Sequence, residues 1–240
     1  MTTPAHLSVV IPAFNEAARL PSYLDEVVAF LEGRAEGYEI VVVDEGSTDA
    51  TVAAVRAAAG GNPALRVLPL GRNRGKGAAV RAGMLAATGG VRLFTDADGA
   101  TPIAELKRLE PALATGADIV IGSRALVDPA VSVRARPHRV AAGRIFHWMV
   151  VRLGVRGVAD SQCGFKLFTA AASKALFGEL ETAGFGFDVE LLLRAQARGY
   201  RIVEVPVNWV DREGSKSGVL SHGPGMLLQL LRARWRVGWP

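Results

Sequence analysis

The sequence predicts an α/β protein with a mostly parallel sheet flanked by helices. Short apolar runs rich in Val, Ile and Leu alternate with longer stretches whose apolar residues recur at helical spacing. Polar or glycine-rich residues follow the apolar runs, as expected where buried strands end at one edge of a sheet. Half of the 240 residues are hydrophobic, which suffices for one large core, so we expect a single domain over residues 1–240.

The first half of the chain alternates strands and helices. Pro12 is expected to stop the first strand, Ser47 or Thr48 to cap the second helix, and Pro102 to begin the fourth. The strands are predicted at residues 6–11, 39–43, 65–70, 93–95 and 118–121. The four helices are predicted to end at about residues 32, 59, 88 and 114.

The second half changes in character after Arg124. Residues 126–137 are expected to be a loop, and an alternating strand is expected within residues 200–210, ending at Trp209. A turn and strand are predicted at residues 160–168. Helices are predicted at residues 139–155, 170–180, 188–198 and 226–237.

Charge and cysteine content limit the classes of function. The net charge of +5 favours an anionic partner, namely a phosphorylated substrate, a lipid surface or a nucleic acid. Cys163 is the single cysteine, so an internal disulfide is excluded and a reducing compartment is expected. Residues 1–12 lack a signal-peptide pattern, and no uncharged run reaches the roughly 18 residues of a membrane span. We therefore expect a peripheral protein on the cytoplasmic face of a membrane.

Polar loops follow four of the predicted strands, after Ile11, Val43, Leu70 and Thr95. Because the carboxyl ends of parallel strands meet at one edge of a sheet, these loops predict a nucleotide site there. No Gly-x-Gly-x-x-Gly follows the first strand, and Gly71 and Lys76 lack the Walker A spacing. The site is therefore expected to differ from both of those phosphate-binding motifs.

Asp96 and Asp98 directly follow the fourth strand, and Gly99 and Pro102 end it. Two carboxylates one residue apart form a hard oxygen site for Mg²⁺ or Mn²⁺, and a substrate phosphate usually completes the ligand set. A solvated acidic turn is the alternative reading of this pair.

Two basic, apolar helices lie in the second half, at residues 139–155 and 226–237. Arginines border their apolar faces, a pattern typical of helices that lie in a membrane interface. A helix of the core, or one at the interface of a homo-oligomer, remains an alternative for the first. A tail packed on the body of the protein remains an alternative for the second.

Eight motifs, in order along nearly the whole chain, resemble the inverting GT-A glycosyltransferases of family 2. The segments 9–16, 42–49, 73–77 and 96–98 carry the general resemblance. The segments 122–124, 160–166, 185–190 and 212–216 resemble the dolichyl- or polyprenyl-phosphate sugar synthases of this family. Within that branch, the forms of segments 73–77 and 160–166 look most like the dolichyl-phosphate β-glucosyltransferases. The resemblance implies a nucleotide-sugar half at residues 1–124 and an acceptor half, with the amphipathic helices, at residues 125–240.

The resemblance also assigns a donor site. Lys76 would approach the base or diphosphate, and Asp96 and Asp98 would hold the metal on the diphosphate. Glu45 stands where the family usually has a second Asp, Phe14 where a Tyr is common, and Ala100 where some relatives place another metal ligand. The residues implied in donor binding are Pro12, Phe14, Glu16, Asp44, Lys76, Asp96, Ala97 and Asp98.

For the acceptor, the resemblance implies a cluster of cations that binds a lipid phosphate. Arg124 is expected to bind a phosphate through two hydrogen bonds. Asp188 lies where other branches have a base and is expected to position the acceptor or to act as a weak auxiliary base, with a helix N-cap as the alternative. Together with Asp98 and Arg124 it makes up the predicted catalytic set. The acceptor-phosphate residues are Arg124, Arg139, Arg212, Ser215 and Lys216.

The expected reaction is transfer of glucose from UDP-glucose to a dolichyl or polyprenyl phosphate, with Mg²⁺ or Mn²⁺. A GDP-mannose-dependent mannosyltransferase is the first alternative, because nothing at Glu16 or Asp44 separates uracil from guanine. A nucleotide-sugar-binding accessory protein is the second. A nucleic-acid-binding module is ranked last, because the arginines do not form one stripe with stacking aromatics, so no nucleic-acid partner is expected.

Overall fold

The computed structural model describes residues 6–212 and 219–238, without the side chains at positions 137–139, 142, 219–224 and 226. The strands are β1 (Leu7–Ala13), β2 (Tyr38–Asp44), β3 (Leu65–Pro69), β4 (Val91–Thr95), β5 (Ile119–Ser123), β6 (Val133–Arg134), β7 (Phe165–Thr169), β8 (Ile202–Pro206) and β9 (Trp209–Val210). The helices are α1 (Leu20–Glu32), α2 (Thr51–Ala59), α3 (Lys76–Ala86), α4 (Leu106–Ala114), α5 (Pro137–Arg152), α6 (Ala170–Glu179), α7 (Phe187–Ala197) and α8 (Val219–Val237).

Seven strands form one sheet in the order β3-β2-β1-β4-β7-β5-β8. All neighbouring pairs are parallel except those of β7, which runs antiparallel to both β4 and β5. Helices cover the sheet, and the predicted mostly parallel α/β architecture is confirmed. The insertion of β7 between two strands of the first half was not predicted, because it depends on contacts between distant parts of the chain.

The prediction that Pro12 stops the first strand is wrong. β1 continues to Ala13, and Pro12 is in register with Val43 of β2. In a strand, the backbone N–H and C=O groups of successive residues point to opposite sides. The carbonyl of Ala13 points towards β2, where it accepts a hydrogen bond from the amide of Glu45 at 2.9 Å. Pro12 therefore faces the β4 side, where pairing already ends at Val10, so its missing N–H removes no ladder hydrogen bond.

The strand predicted to end at Trp209 is divided in two. β8 stops at Pro206, and β9 leaves the main sheet to pair with β6, inside the segment predicted to be a loop. Between them, Asn208 donates through its side-chain Nδ2 to Glu105 Oε1 at 2.8 Å and through its backbone to Oε2 at 3.2 Å. This pairing turns the chain away from β8.

The last helix begins seven residues before the predicted start at Met226, and α5 ends three residues before the predicted end at Val155. α8 packs against α7 and α5. Among the described residues, none of the helices is both long enough and apolar enough to cross a bilayer.

Candidate active site

The acidic pair lies in a tight turn at the carboxyl end of β4. The backbone N–H of Asp96 donates to the carbonyl of Gly164 at 3.0 Å, and Asp98 Oδ1 accepts from the backbone of Ala100 at 3.1 Å. Below them, the hydroxyls of Thr95 and Tyr23 are 2.8 Å apart. Burial raises the pKa of Asp98, and the neighbouring charge of Asp96 raises it further. A cation at this turn would relieve that repulsion.

Gly164 makes room for the Asp96 carboxylate. A Cβ at position 164 would lie 2.0 Å from Asp96 Oδ2, so a larger residue would collide with the carboxylate. The segment leading into β7 can therefore pass directly beside the end of β4. The sequence analysis placed Gly164 in a motif, but the motif gave no indication that this residue lies against Asp96.

Lys76 is the first residue of α3, and its Nζ lies 2.7 Å from Asp96 Oδ1. The ammonium also lies 5.4 Å from the centroid of the Phe94 ring. Burial lowers the pKa of Lys76, but the charges of Asp96 and Asp188 outweigh that effect, so the net shift is upward. Lys76 is therefore a cation in this site at neutral pH.

The start of α3 packs tightly against the chain that leads into α7. A Cβ at Gly77 would lie 2.4 Å from the carbonyl oxygen of Thr182 and 2.7 Å from Cβ of Phe187. This close approach brings Lys76 and Asp188 to the same side of the site. The sequence suggested that both residues were functional, and the structure brings them together.

Asp188 lies in the first turn of α7, which begins after Gly186. Its Oδ1 accepts from Lys166 Nζ at 2.5 Å, and the same ammonium donates to the carbonyl of Cys163 at 2.6 Å. Burial raises the pKa of Asp188 even though Lys166 and Lys76 act to lower it. The Lys166–Asp188 pair has no local sequence signal, because 22 residues separate its members.

Glu45 is accommodated beside Asp44 and is only 6% exposed. Burial raises its pKa to about 7; Lys76 opposes this shift and Asp44 adds to it. Asp44 itself accepts from the backbone of Gly46 at 3.2 Å and of Ser47 at 3.1 Å, so both of its oxygens serve the loop after β2.

The loops after β1 and β2 are joined through Asn15, which sequence reasoning did not single out. Its Oδ1 accepts from the backbone of Thr48 at 2.8 Å, and its own N–H donates to Ser47 Oγ at 3.0 Å. Asn15 has a positive φ of 54°, which asparagine tolerates better than most residues. That tolerance is the signal that could have identified it.

Glu16 forms a two-point ion pair with Arg19. Glu16 Oε1 lies 2.6 Å from Arg19 Nη2 and Glu16 Oε2 lies 2.8 Å from Arg19 Nε. A ribose hydroxyl at Glu16 would therefore share the carboxylate with a cation that the sequence analysis did not consider. Of the other predicted donor residues, Pro12 and Ala97 are buried and Phe14 is half-buried.

Arg124 is bound to Asp160 at the end of β5. Its Nε and Nη2 lie 2.6 and 2.7 Å from the two carboxylate oxygens, and its guanidinium lies 5.4 Å from the Trp209 ring centroid. Burial lowers the pKa of Arg124, but Asp160 outweighs it, so that pKa is raised and the charge is fixed. Asp160 thus occupies the Nε–Nη2 edge of the guanidinium, and a phosphate would meet the Nη1 side instead.

Apart from Arg124, the predicted acceptor-phosphate residues are described only in part or not at all. Arg139 lies in the first turn of α5, where its side chain is outside the description, and Arg212 follows β9 with an exposed side chain. Ser215 and Lys216 lie outside the described residues. Their roles stay predictions.

The acidic turn suits a divalent ion whose remaining ligands come from elsewhere. Over residues 6–212 and 219–238, no three His, Cys, Asp or Glu side chains cluster as a complete metal site. Asp96 and Asp98 offer two hard oxygen ligands, and a diphosphate with water would complete the set. This is the donor chemistry expected of Mg²⁺ or Mn²⁺ bound together with a nucleotide.

The model of the family described as "Glycosyl transferase family 2" matches residues 8–177, more than half of the chain. This chain belongs to glycosyl transferase family 2. The family predicted from the motifs is thereby confirmed, and the chain is a glycosyltransferase.

Relatives from several organisms carry the name dolichyl-phosphate beta-glucosyltransferase. The protein from Drosophila melanogaster is 45% identical over 224 residues, which cover 88% of this chain and 68% of that protein. The protein from Homo sapiens is 39% identical over 251 residues, covering 96% of this chain and 78% of its own length.

Solved structures share the fold. Glucosyl-3-phosphoglycerate synthase from Mycobacterium tuberculosis, in complex with UDP, has a TM-score of 0.68 at 22% identity and covers 96% of this chain and 80% of its own. A mannosyltransferase from Pyrobaculum calidifontis, in complex with GDP-Man and Mn²⁺, has a TM-score of 0.69 at 24% identity and covers 99% and 66%. The predicted GT-A fold is confirmed.

Proposed function

We propose that this family 2 enzyme transfers glucose from UDP-glucose to a dolichyl or polyprenyl phosphate with inversion at the anomeric carbon. The observation that carries the proposal is the Asp96–Asp98 turn with Lys76 beside it, at the sheet edge where α/β proteins bind nucleotides. The names of the relatives at 39–45% identity support glucose as the sugar and a dolichyl phosphate as its acceptor.

In this proposal the 1–124 half holds the donor. Asp96 and Asp98 hold Mg²⁺ or Mn²⁺, which when bound supplies positive charge for the leaving diphosphate. Lys76 offers a second positive charge at the same place, and Glu16 and Asp44 orient the ribose and base. Pro12, Phe14 and Ala97 complete the walls of the donor site.

The 125–240 half holds the acceptor within the same domain. A phosphate monoester has a second pKa near 6, so at neutral pH its oxygen is already a nucleophile and needs no base. That oxygen forms a bond to the anomeric carbon while the bond to UDP breaks, and the electron pair leaves with UDP. Asp188, held by Lys166, positions the acceptor, and no proton has to move.

Cations supply the acceptor-phosphate site in this scheme. Arg124 presents its Nη1 side, because Asp160 occupies the other edge of the guanidinium. Arg139, Arg212, Ser215 and Lys216 are proposed to approach the same phosphate from α5 and from the chain after β9.

We also propose that α5 and α8 lie on the cytoplasmic surface of the membrane that holds the lipid acceptor. The two helices touch and expose large apolar side chains, of which Trp235 is 78%, Ile145 64% and Trp148 58% exposed. Arg152 lies 4.9 Å from the Trp148 ring centroid, so a cation accompanies an apolar anchor. Apolar anchors beside arginines suit an interface with anionic lipids.

The test is sugar transfer to added dolichyl phosphate in detergent micelles, with UDP-glucose, GDP-mannose and UDP-galactose compared as donors. We expect transfer from UDP-glucose, dependence on Mg²⁺ or Mn²⁺, and a β-linked product by NMR. Faster transfer from GDP-mannose would overturn the choice of donor. Binding of UDP-glucose without any transfer to dolichyl phosphate would overturn the proposed acceptor.

A further inference from the structure

Both oxygens of Asp96 have close neighbours in the structure. Lys76 Nζ lies 2.7 Å from Oδ1, and Oδ2 faces Gly164 so closely that a Cβ there would be 2.0 Å away. The carboxylate is therefore held in place from one side by the chain and from the other by an ammonium. A divalent ion that binds Asp96 through Oδ1 would share that oxygen with the Lys76 ammonium.

A divalent ion and an ammonium in this turn would repel each other. Both would share the charge of Asp96, and burial strengthens charge–charge interactions. The two carboxylates carry at most two negative charges, whereas a divalent ion and the Lys76 ammonium, 2.7 Å from Asp96 Oδ1, together carry three positive charges. The diphosphate of a donor would add enough negative charge for the divalent ion and the Lys76 ammonium to be bound at the same time.

The side chain of Lys76 can move without moving α3. Its ammonium ends a flexible four-carbon stem and is 19% exposed, whereas Gly77 fixes the helix start against Thr182. Lys166 provides the contrast, since it has no exposed side-chain area and donates to two fixed acceptors, Asp188 and the carbonyl of Cys163. The ammonium of Lys166 is therefore held in one position, whereas the ammonium of Lys76 is free to exchange Asp96 for another anion.

We infer that Lys76 is the counter-ion of Asp96 when no metal is bound, and that its ammonium moves from Asp96 to the donor diphosphate when the metal binds. The inference rests on the proposed function for the diphosphate, but its metal part concerns the free enzyme. It makes the binding of metal and nucleotide cooperative, because each adds the charge that the other needs. Metal alone then binds weakly, and the complete site forms only with the donor.

The experiment measures Mn²⁺ binding by electron paramagnetic resonance, without nucleotide, in the wild type and in Lys76→Met. We expect Mn²⁺ to bind about tenfold more tightly to Lys76→Met, because its competitor is gone. The matched control is Lys174→Met, an exposed lysine of α6, which should leave Mn²⁺ affinity unchanged. In an Asp96→Asn background, Lys76→Met should no longer strengthen Mn²⁺ binding.

With saturating Mn²⁺, UDP should bind at least about tenfold more weakly to Lys76→Met than to the wild type. Circular dichroism checks the fold, and Lys76→Gln serves as a second variant if Lys76→Met does not fold. Unchanged or weaker Mn²⁺ binding in a folded variant would overturn the inference, because the removal of a competing cation has to strengthen metal binding. Wild type that fails to glucosylate dolichyl phosphate would instead overturn the proposed substrate and leave the Mn²⁺ result standing.

Discussion

Lys166 Nζ lies 2.5 Å from Asp188 Oδ1 in the interior of the protein, directly beside the acidic turn. Lys166 is in register with Phe94 on the neighbouring strand, and its ammonium lies 5.9 Å from the centroid of that ring. The pair joins β7 to the first turn of α7. It fixes the direction of Asp188, which faces the same site as Lys76.

Replacing Lys166 with methionine should destabilise the protein by about 3–5 kcal/mol, because Asp188 would remain buried without its partner. Urea unfolding at pH 7 measures the change, and Lys174→Met on the surface is the matched control. Adding a second substitution, Asp188→Leu, should restore much of the lost free energy of unfolding, because it removes the unpaired buried carboxylate. A loss below about 1 kcal/mol in Lys166→Met would show that Asp188 is satisfied in another way.

Replacing Asp98 with asparagine should lower kcat for glucose transfer by about 10²–10³-fold, because one metal ligand and its charge are lost. The melting temperature should not fall, because burial and Asp96 already disfavour the Asp98 charge. Asp25→Asn, at an exposed position of α1, is the control. Normal kcat and normal Mn²⁺ binding in Asp98→Asn would remove the metal role of this turn.

Glu45 should make the stability of the protein depend on pH. Its pKa is about 7 in the folded protein against an ordinary value of 4.5, so between these values the folded state holds a proton that the unfolded chain has released. Stability therefore falls as the pH rises from about 4.5 to 7 and is level above that range.

Glu45→Gln keeps this side chain neutral at every pH. We expect it to be more stable than the wild type at pH 8 by about 2 kcal/mol, allowing for partial access of water, and equal to it at pH 4. Urea unfolding at several pH values between 4 and 8 provides the comparison. A difference that does not change with pH would show that Glu45 titrates normally.

If α5 and α8 bind a membrane, replacing their exposed apolar side chains with charged ones should weaken lipid binding. Trp148→Glu combined with Trp235→Glu should abolish cosedimentation with anionic vesicles, and high salt should weaken binding of the wild type. The control is Val127→Glu, which charges a side chain that is 97% exposed and outside both helices. If the wild type does not bind vesicles but forms dimers in light scattering, the exposed apolar side chains of α5 and α8 belong to a self-association interface.

Much of the donor side could be predicted from short stretches of sequence. Asp96, Asp98 and Lys76 each follow a recognisable strand or begin a helix, so local pattern located them at the correct edge. The role of Arg124 was harder to predict, because Asp160 takes the edge of its guanidinium and lies 36 residues later in the chain. Asn15 lies within the motif at 9–16, but its role was missed because its partners, Ser47 and Thr48, are more than thirty residues away in the chain. Arg19 was missed because it lies outside the motifs.

By itself, the sequence determined the alternation of strands and helices and the position of the acidic pair at the end of β4. These features depend on apolar periodicity and turn residues, which act over a few positions. Only the tertiary structure decided that β7 lies antiparallel between β4 and β5, which sets Gly164 against Asp96 and aligns Lys166 with Asp188. Strand order is fixed by packing between residues far apart in the chain, such as Phe94 and Lys166, and no local pattern encodes it.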